Sequence, residues 1–382
     1  MLILGIETSC DETSVSLIEV RKNKLQIISN VVSSQISKHA PFGGVVPSLA
    51  AREHVANLSS VTKTAMGNFK IEDIDLISVT AGPGLISSLL VGTAFAKALA
   101  YKYKKPIIGI NHIEGHISSN WLGPITQDQK STRPRPSRDQ VGKINPPAGR
   151  ARNQDCPPEI GDSGIFPALC LVVSGGHTSL VFMEKFCKYR LVGETLDDAA
   201  GEAFDKIARM LELGYPGGPA ISAEAEKFKT HDEKLKVNLP RPMIDSKDLD
   251  FSFAGLKTAV LYLIRGLTKK YKLSEIKASV AKEAQAAIVD VLVIKTKRAA
   301  LRLKARSIML SGGVSANKLL REKIVELGKN LKIKTFIPQL AYTTDNAAMI
   351  ALAGYFQFKF KNQPISSLGW QKVKTDANWE IV

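Results

Sequence analysis

Two stretches of this chain repeat one order of residues, and then a second order, and that recurrence limits the folds open to it more than anything else. "LILGIETSCDETSVSLIEV" (2–20) and "ALCLVVSGGHTSLVFMEK" (168–185) each read as apolar strand, small polar turn, apolar strand. "IDLISVTAGPGLISSLLVGTAFAKALA" (74–100) and "ARSIMLSGGVSANKLLREKIVEL" (305–327) each read as strand, glycine turn, helix. A helix that follows such a turn aims its amino terminus at whatever lies above it. A hairpin followed by strand, turn and helix, occurring twice, suggests a duplicated α/β fold holding a ligand between two lobes.

The halves are separated by sequence of another kind. Residues 123–164 hold seven of the chain's eighteen prolines and almost no apolar periodicity, so this stretch is expected to be a disordered insertion. The expected division is a first α/β lobe over 1–122, with the C-terminal helix of 346–382 packing back on it, and a second lobe over 165–345. Longer helices are predicted over 276–307 and over 199–213, where "GYPGG" ends the second.

Charge narrows the list of partners. Lys and Arg number 52 against 36 Asp and Glu, a net charge of +16, which attracts polyanions such as nucleic acid. The amino terminus has no basic n-region before its apolar residues and reads as a strand, which predicts a cytoplasmic protein. Four cysteines without a CxxC pair read as free thiols, mostly buried.

The segment "NHIEGH" (111–116) puts His112 and His116 one helical turn apart, about 40° from each other in azimuth, so that both can reach one ion. In the HExxH peptidases the catalytic acid follows the first histidine directly. Here Glu114 follows by two, about 200° around the helix, and should face away from an ion held by the pair. Asp345, in "YTTDNAAM", is the best third ligand, although an acid before an apolar helix also suits an N-cap. Two buried, satisfied imidazoles are the alternative for the histidines.

Other residues carry weaker signals. The Ser-Gly-Gly turns at 174–176 and 311–313 let a phosphate or carbonyl approach backbone N–H groups. No GxxxxGK[ST] is present, so an ordinary phosphate loop is excluded. Asp197, Asp198, Glu202 and Asp205 cluster around the 199–213 helix, where Glu202 and Asp205 share a face that suits ribose hydroxyls or plain solvation. Asp11 and Glu12 put two carboxylates in the first hairpin turn.

Taken in order, "GIETSCDET", "GGVVPSLAAREH", "TAGPGL", "NHIEGH", "LVVSGGHT", "DDAAGEAFDK", "YPGGP", "DFSFAGLKT", "SGGVSAN" and "TTDNAAM" resemble the bacterial TsaD-type tRNA N6-adenosine threonylcarbamoyltransferases, once described as O-sialoglycoprotein endopeptidases. The resemblance covers nearly the whole chain outside 123–164. It implies the actin/sugar-kinase/heat-shock-cognate (ASKHA) fold, with a nucleotide cleft between duplicated lobes. It implies transfer of threonylcarbamoyl from threonylcarbamoyl-adenylate to N6 of adenosine 37 in the anticodon loop of tRNAs reading ANN codons, with AMP leaving. One Fe2+ or Zn2+ on His112, His116 and Asp345 is implied, together with adenylate contacts from Val173, Ser174, Gly175, Gly176 and His177. Asp205 and Gly218 are implied at the ribose, and Asn317 near the base or sugar. Implied partners are a paralogous TsaB-type subunit that pairs lobes and a small TsaE-type ATPase. Asp11 and Glu12 are candidates for the group that removes the amine's proton. Lys295, Lys297, Arg298, Arg302, Lys304 and Arg306 are candidates for the tRNA-binding surface. The sequence departs from the pattern in the insertion and at Ala254, where many relatives have Ser. A metallopeptidase, a sugar or acetate kinase and a catalytically silent scaffold are the competing readings.

Overall fold

The computed structural model describes residues 1–123, 159–228, 237–361 and 369–381. Most of the expected insertion, 124–158, lies outside the described residues, as does Cys156.

Strands β1 (Leu2–Glu7), β2 (Glu12–Arg21) and β3 (Lys24–Ser34) form an antiparallel meander. Helices α1 (Ile36–His39) and α2 (Pro47–Met66) lead to β4 (Leu76–Gly82), α3 (Ile86–Tyr103), β5 (Ile107–Asn111) and α4 (His112–Ser118). β4 pairs parallel with β1, and β5 pairs parallel with β4, so the sheet order is β3-β2-β1-β4-β5.

The second half repeats this plan. β6 (Ala168–Val173), β7 (Thr178–Lys185) and β8 (Lys188–Glu194) form the meander. Helices α5 (Ala200–Met210), α6 (Gly217–Glu226), α7 (Ala254–Leu267) and α8 (Leu273–Arg302) follow, then β9 (Ser307–Ser311), α9 (Lys318–Leu331), β10 (Lys334–Phe336) and α10 (Ala347–Phe360). The order β8-β7-β6-β9-β10 matches the first sheet strand for strand, with the same antiparallel and parallel pairings. The duplication expected from the paired motifs is present. The two long helices lie at Leu273–Arg302 and Ala200–Met210, a few residues from the expected bounds, because β9 claims Ser307 and a turn claims Leu211.

Period-two alternation sorts the strand side chains between layers. Leu2, Leu4 and Ile6 of β1 face α2 and α3, joining Leu58, Val61 and Ala96. Leu169, Leu171 and Val173 of β6 face α5 to α9. Ile3 of β1 and Cys170 and Val172 of β6 point the other way, into one shared core with Ile113, Ile117, Met349 and Ile350. Helices α4 and α10 therefore lie between the two sheets. Both faces of each central strand are covered, which is why these strands read as unbroken apolar runs.

Among the described residues no helix is long and apolar enough to cross a membrane. Cys10, Cys170 and Cys187 are free, Cys10 half-buried and the others buried.

Candidate active site between the lobes

Helix α4 begins directly at the end of β5, which fixes its direction. Asn111 caps it, its side-chain oxygen accepting from the N–H groups of Ile113 (2.9 Å) and Glu114 (3.4 Å). His112 and His116 then lie one turn apart on one side of the helix, as the spacing predicts, with ring centroids 4.5 Å from each other and edge to face.

Asp345 meets them from the opposite end of the sequence. The N-cap of α10 is Asn346, whose side chain accepts from the Met349 N–H at 3.1 Å. Asp345 is thereby freed from capping, and its Oδ1 lies 3.5 Å from His112 Nε2 and 3.2 Å from His116 Nε2. This close approach needs Gly5 in β1: a Cβ there would sit 2.2 Å from the Ala347 carbonyl oxygen.

The donor set suits a divalent metal. One ligand atom from each of His112, His116 and Asp345 falls within 4.8 Å of the others. Both ring nitrogens of buried His116 lack a hydrogen-bond partner, Nε2 being near Asp345 but poorly aligned with it. An orphaned imidazole costs free energy in a dry site unless something binds it. Two imidazoles and one carboxylate are the ligand types of zinc and ferrous sites that keep open positions.

Electrostatics bind the cluster together. Burial works against charge on His112, but the Asp345 and Glu7 carboxylates outweigh it and push its pKa up to about 10. Burial and the neighbouring His112 lower the pKa of His116 against the pull of Asp345. Burial would raise the Asp345 carboxyl, yet the two imidazoles, His112 first, hold it well below the usual carboxylate range.

Glu7 escaped the sequence reading. It is a fully buried acid at the end of β1, accepting from the Ser9 N–H at 2.5 Å and from Thr80 Oγ1 at 2.6 Å, and it lies 3.1 Å from His112 Nδ1. A carboxylate on the far nitrogen of a ligating histidine fixes its tautomer and raises its basicity. The available signal was a lone acid closing an apolar strand, "LILGIE". Glu114 does point away from the ligands, as its azimuth predicts; its carboxylate accepts from Tyr189 and Gln357.

The second lobe brings the "SGGHT" turn to the same place. His177 lies 6.2 Å, centroid to centroid, from His112, and burial with the two other histidines lowers its pKa to about 4. The turn is closed by Ser174 N–H donating to the His177 carbonyl at 2.8 Å and His177 N–H donating to Ser174 Oγ at 3.1 Å. Gly175 and Gly176 have open space where side chains would be. Val173 is different: its side chain is in the second-lobe core, so only its backbone is available to a ligand.

The remaining candidates divide. Cys10 and Glu12 sit close enough to Asp345 to feel its charge, with Asp11 between them in sequence. Burial, then Asp11 and Asp345, pushes the Glu12 carboxyl well up, and a hydrogen bond with Asp11 adds to this. Tyr215 faces this turn from the second lobe, its hydroxyl pushed up by burial and by Asp11 and Asp205; it too went unnoticed in the sequence. Asp205 accepts from the Gly217 N–H at 2.6 Å and borders a pocket of about 160 Å³ lined by Ala40, Gly43, Arg209, Glu212, Gly214 and Tyr215. Gly218 is open to added atoms, next to that loop. Asn317 is occupied: it caps α9 through Leu320 N–H and donates to Ser222 Oγ at 3.0 Å and Gln285 Oε1 at 2.9 Å.

The expected basic surface needs correction. Lys295 is fully buried, its ammonium on Ser246 and Asp248, and Arg298 donates to the carbonyls of Ser246 and Ile244. Both tie α8 to the 243–248 turn. Lys297, Arg302, Lys304 and Arg306 remain exposed. Asp197 also has a structural task, accepting from Ser252 Oγ and from the N–H groups of Phe253 and Ala254 at the start of α7.

The sequence pattern of the TsaD family, tRNA N6-adenosine threonylcarbamoyltransferase, matches residues 26–131 and 157–352. A relative of that name from Thermosipho melanesiensis is 48% identical over 360 residues, 94% of this chain and 95% of its own. Another from Thermodesulfovibrio yellowstonii is 45% identical over 362 residues, with the same two shares. Among solved structures, T. kodakarensis HypF is similar with a TM-score of 0.54 at 12% identity, over 94% of this chain and 48% of that one. This chain spans about half the length of that protein, and the likeness concerns the fold alone, the two-lobed ASKHA arrangement. The family pattern takes in α4, the "SGGHT" turn and the start of α10, the relatives cover 94% of the chain, and the chain belongs to the TsaD family of tRNA N6-adenosine threonylcarbamoyltransferases.

Proposed function

We propose that this protein transfers the threonylcarbamoyl group of threonylcarbamoyl-adenylate to N6 of adenosine 37 in tRNAs that read ANN codons. The reading is carried by one juxtaposition: the His112–His116–Asp345 group of one lobe against the "SGGHT" turn of the other. An Fe2+ or Zn2+ ion held by the three ligands would supply Lewis acidity to the substrate.

The chain's own residues account for the rest. The open backbone at Gly175 and Gly176 accommodates the phosphate of the adenylate, where N–H groups neutralise charge as the leaving oxygen departs. His177 is neutral at physiological pH, so it adds no positive charge to the cleft and can hydrogen-bond the adenylate. Asp205 and the loop at Gly217–Gly218 border the pocket that suits the ribose. The amine nitrogen attacks the carbamoyl carbon, the bond from that carbon to the phosphate oxygen breaks, and AMP carries away the electron pair. The hydrogen-bonded Asp11–Glu12 pair takes the proton lost by the amine. Activation is already stored in the adenylate, so the protein needs no nucleophile.

Adenosine 37 in an anticodon loop is reachable without opening a duplex, and the exposed Lys297, Arg302, Lys304 and Arg306 offer charge to its phosphates. Exposed Val55 of α2 and Ile86 and Leu90 of α3 offer an apolar face to a TsaB-type subunit, with a TsaE-type ATPase completing the cytoplasmic set. A peptidase is disfavoured because Glu114 is turned away from the ligands and held there.

The test mixes the purified protein, threonylcarbamoyl-adenylate, unmodified tRNA and the two partner subunits, then searches digested tRNA for threonylcarbamoyladenosine by mass spectrometry. Product that disappears in His112→Ala/His116→Ala supports the reading. Product that persists removes the metal from it, and no product from folded, metal-loaded protein returns the silent scaffold.

A further inference from the structure

Glu114 lies midway between the two histidine ligands, is buried, and takes no part in the chemistry proposed above. Its carboxylate receives a hydrogen bond on each oxygen from a neighbouring element, and the Cys187 thiol lies against it as well. Tyr189 OH, from β8 in the second sheet, donates to Oε1 at 3.1 Å, and Gln357 Nε2, from α10, donates to Oε2 at 2.5 Å.

Those partners are telling. Helix α4 carries His112 and His116, and α10 starts two residues after Asp345, so the three ligands sit on two short elements that share no covalent neighbourhood. Packing between the elements is close: a Cβ on Gly115 would come within 2.6 Å of Ile350 Cδ1. Apolar packing alone lets one helix slide or rotate on another, whereas a buried carboxylate with two fixed donors does not. Gln357 lies near the far end of α10, so its bond to Glu114 resists the rotation about the helix axis that would swing Asp345 from the imidazoles. Tyr189 adds a hold on the second sheet, whose "SGGHT" turn faces the same site.

We infer that Glu114 is a positioning residue for the metal: its side chain braces the histidine helix against α10 and the second sheet, and so sets the separation of the histidine pair from Asp345. This rests on the metal site proposed above.

The test measures zinc affinity by competition with a chromogenic chelator, together with the visible absorption of cobalt(II) at the site. Circular dichroism and thermal melts check the fold of each variant. Glu114→Ala and Gln357→Met each sever an arm, and zinc should bind at least about tenfold more weakly in both, with an altered cobalt spectrum. The swap Glu114→Gln/Gln357→Glu keeps one amide facing one carboxylate and leaves Tyr189 an acceptor, so it should return affinity and spectrum close to those of the unaltered protein. Should Glu114→Ala fail to fold, Gln357→Met, twelve residues from Asp345 in sequence, and the swap, which conserves both side-chain volumes, still decide. Unchanged zinc affinity in a folded Gln357→Met protein, or no recovery in a folded swap, overturns the brace while His112→Ala still abolishes binding. Zinc binding that is indifferent to His112 and His116 overturns the metal site and the brace together.

Discussion

Titrating the metal-free protein with zinc at controlled pH should release close to one proton per ion, and the structure says where that proton comes from. Ligands must shed protons before they bind a metal. Two ordinary histidines with pKa near 6.5 would each be only about one-tenth protonated at pH 7.5, so together they would release ~0.2 proton. His112 is raised to about 10 by Asp345 and Glu7 despite its burial, and so carries a full proton at pH 7.5. His116 is lowered, and Asp345 is held well below its usual range, so neither adds to the count. The expected release is therefore about one proton, and log K for zinc should climb by about one per pH unit from pH 7 to 8.5. A group whose folded pKa is raised stabilises the folded state below its unfolded pKa, and that stability fades as pH rises through the folded value. The metal-free protein should thus melt at lower temperature as pH approaches 10. Calorimetry in buffers of different ionisation enthalpy counts the protons directly. A release near 0.2, with affinity flat over the same range, would refute the claim that the two carboxylates keep His112 charged.

The Glu7→Gln protein should fold, bind zinc ~10–100-fold more weakly and release its proton at lower pH, as read by the same calorimetry, because the charge behind His112 is gone. Asn346→Ala removes the cap of α10 and should cost about 1 kcal/mol in urea denaturation. Lys295→Met should lower the urea midpoint, because the bonds that tie α8 to Ser246 and Asp248 are lost, with tRNA affinity unchanged. Arg302→Ala with Lys304→Ala should do the reverse, weakening tRNA binding and flattening its salt dependence by up to about two phosphate contacts, measured by filter binding.

How far the sequence discloses this arrangement depends on whether the signal is local. The two hairpins and the two strand–turn–helix units are each encoded within some twenty residues, so the repeated sheet order was legible. The histidine pair was legible for the same reason, since four residues fix a helical azimuth. Asp345 was ambiguous, because a cap and a ligand look alike until Asn346 is seen taking the cap. Glu7 and Tyr215 went unrecognised because their neighbours at the site are remote in sequence; Thr80 reaches Glu7 across 73 residues. Lys295 and Arg298 were misjudged because a basic run on a helix does not declare which face the 243–248 turn will cover. The Asn317 side chain, read as near the substrate, is spent on helix α9 and its neighbours.

The position of α10 bears on how the chain is made. It covers one face of the first sheet, and its Ala347 N–H donates to Ser14 Oγ across 333 residues. During synthesis that face of the sheet waits, apolar and uncovered, while the whole second lobe emerges and folds. Pairing at such sequence separation closes slowly, and the waiting surface is the kind that aggregates or is held by chaperones. Since Asp345 arrives with the same helix, the ligand set assembles only when the two lobes have been joined. A ribosome-bound chain stalled before residue 345 would have the two histidines but neither Asp345 nor the helix that covers them.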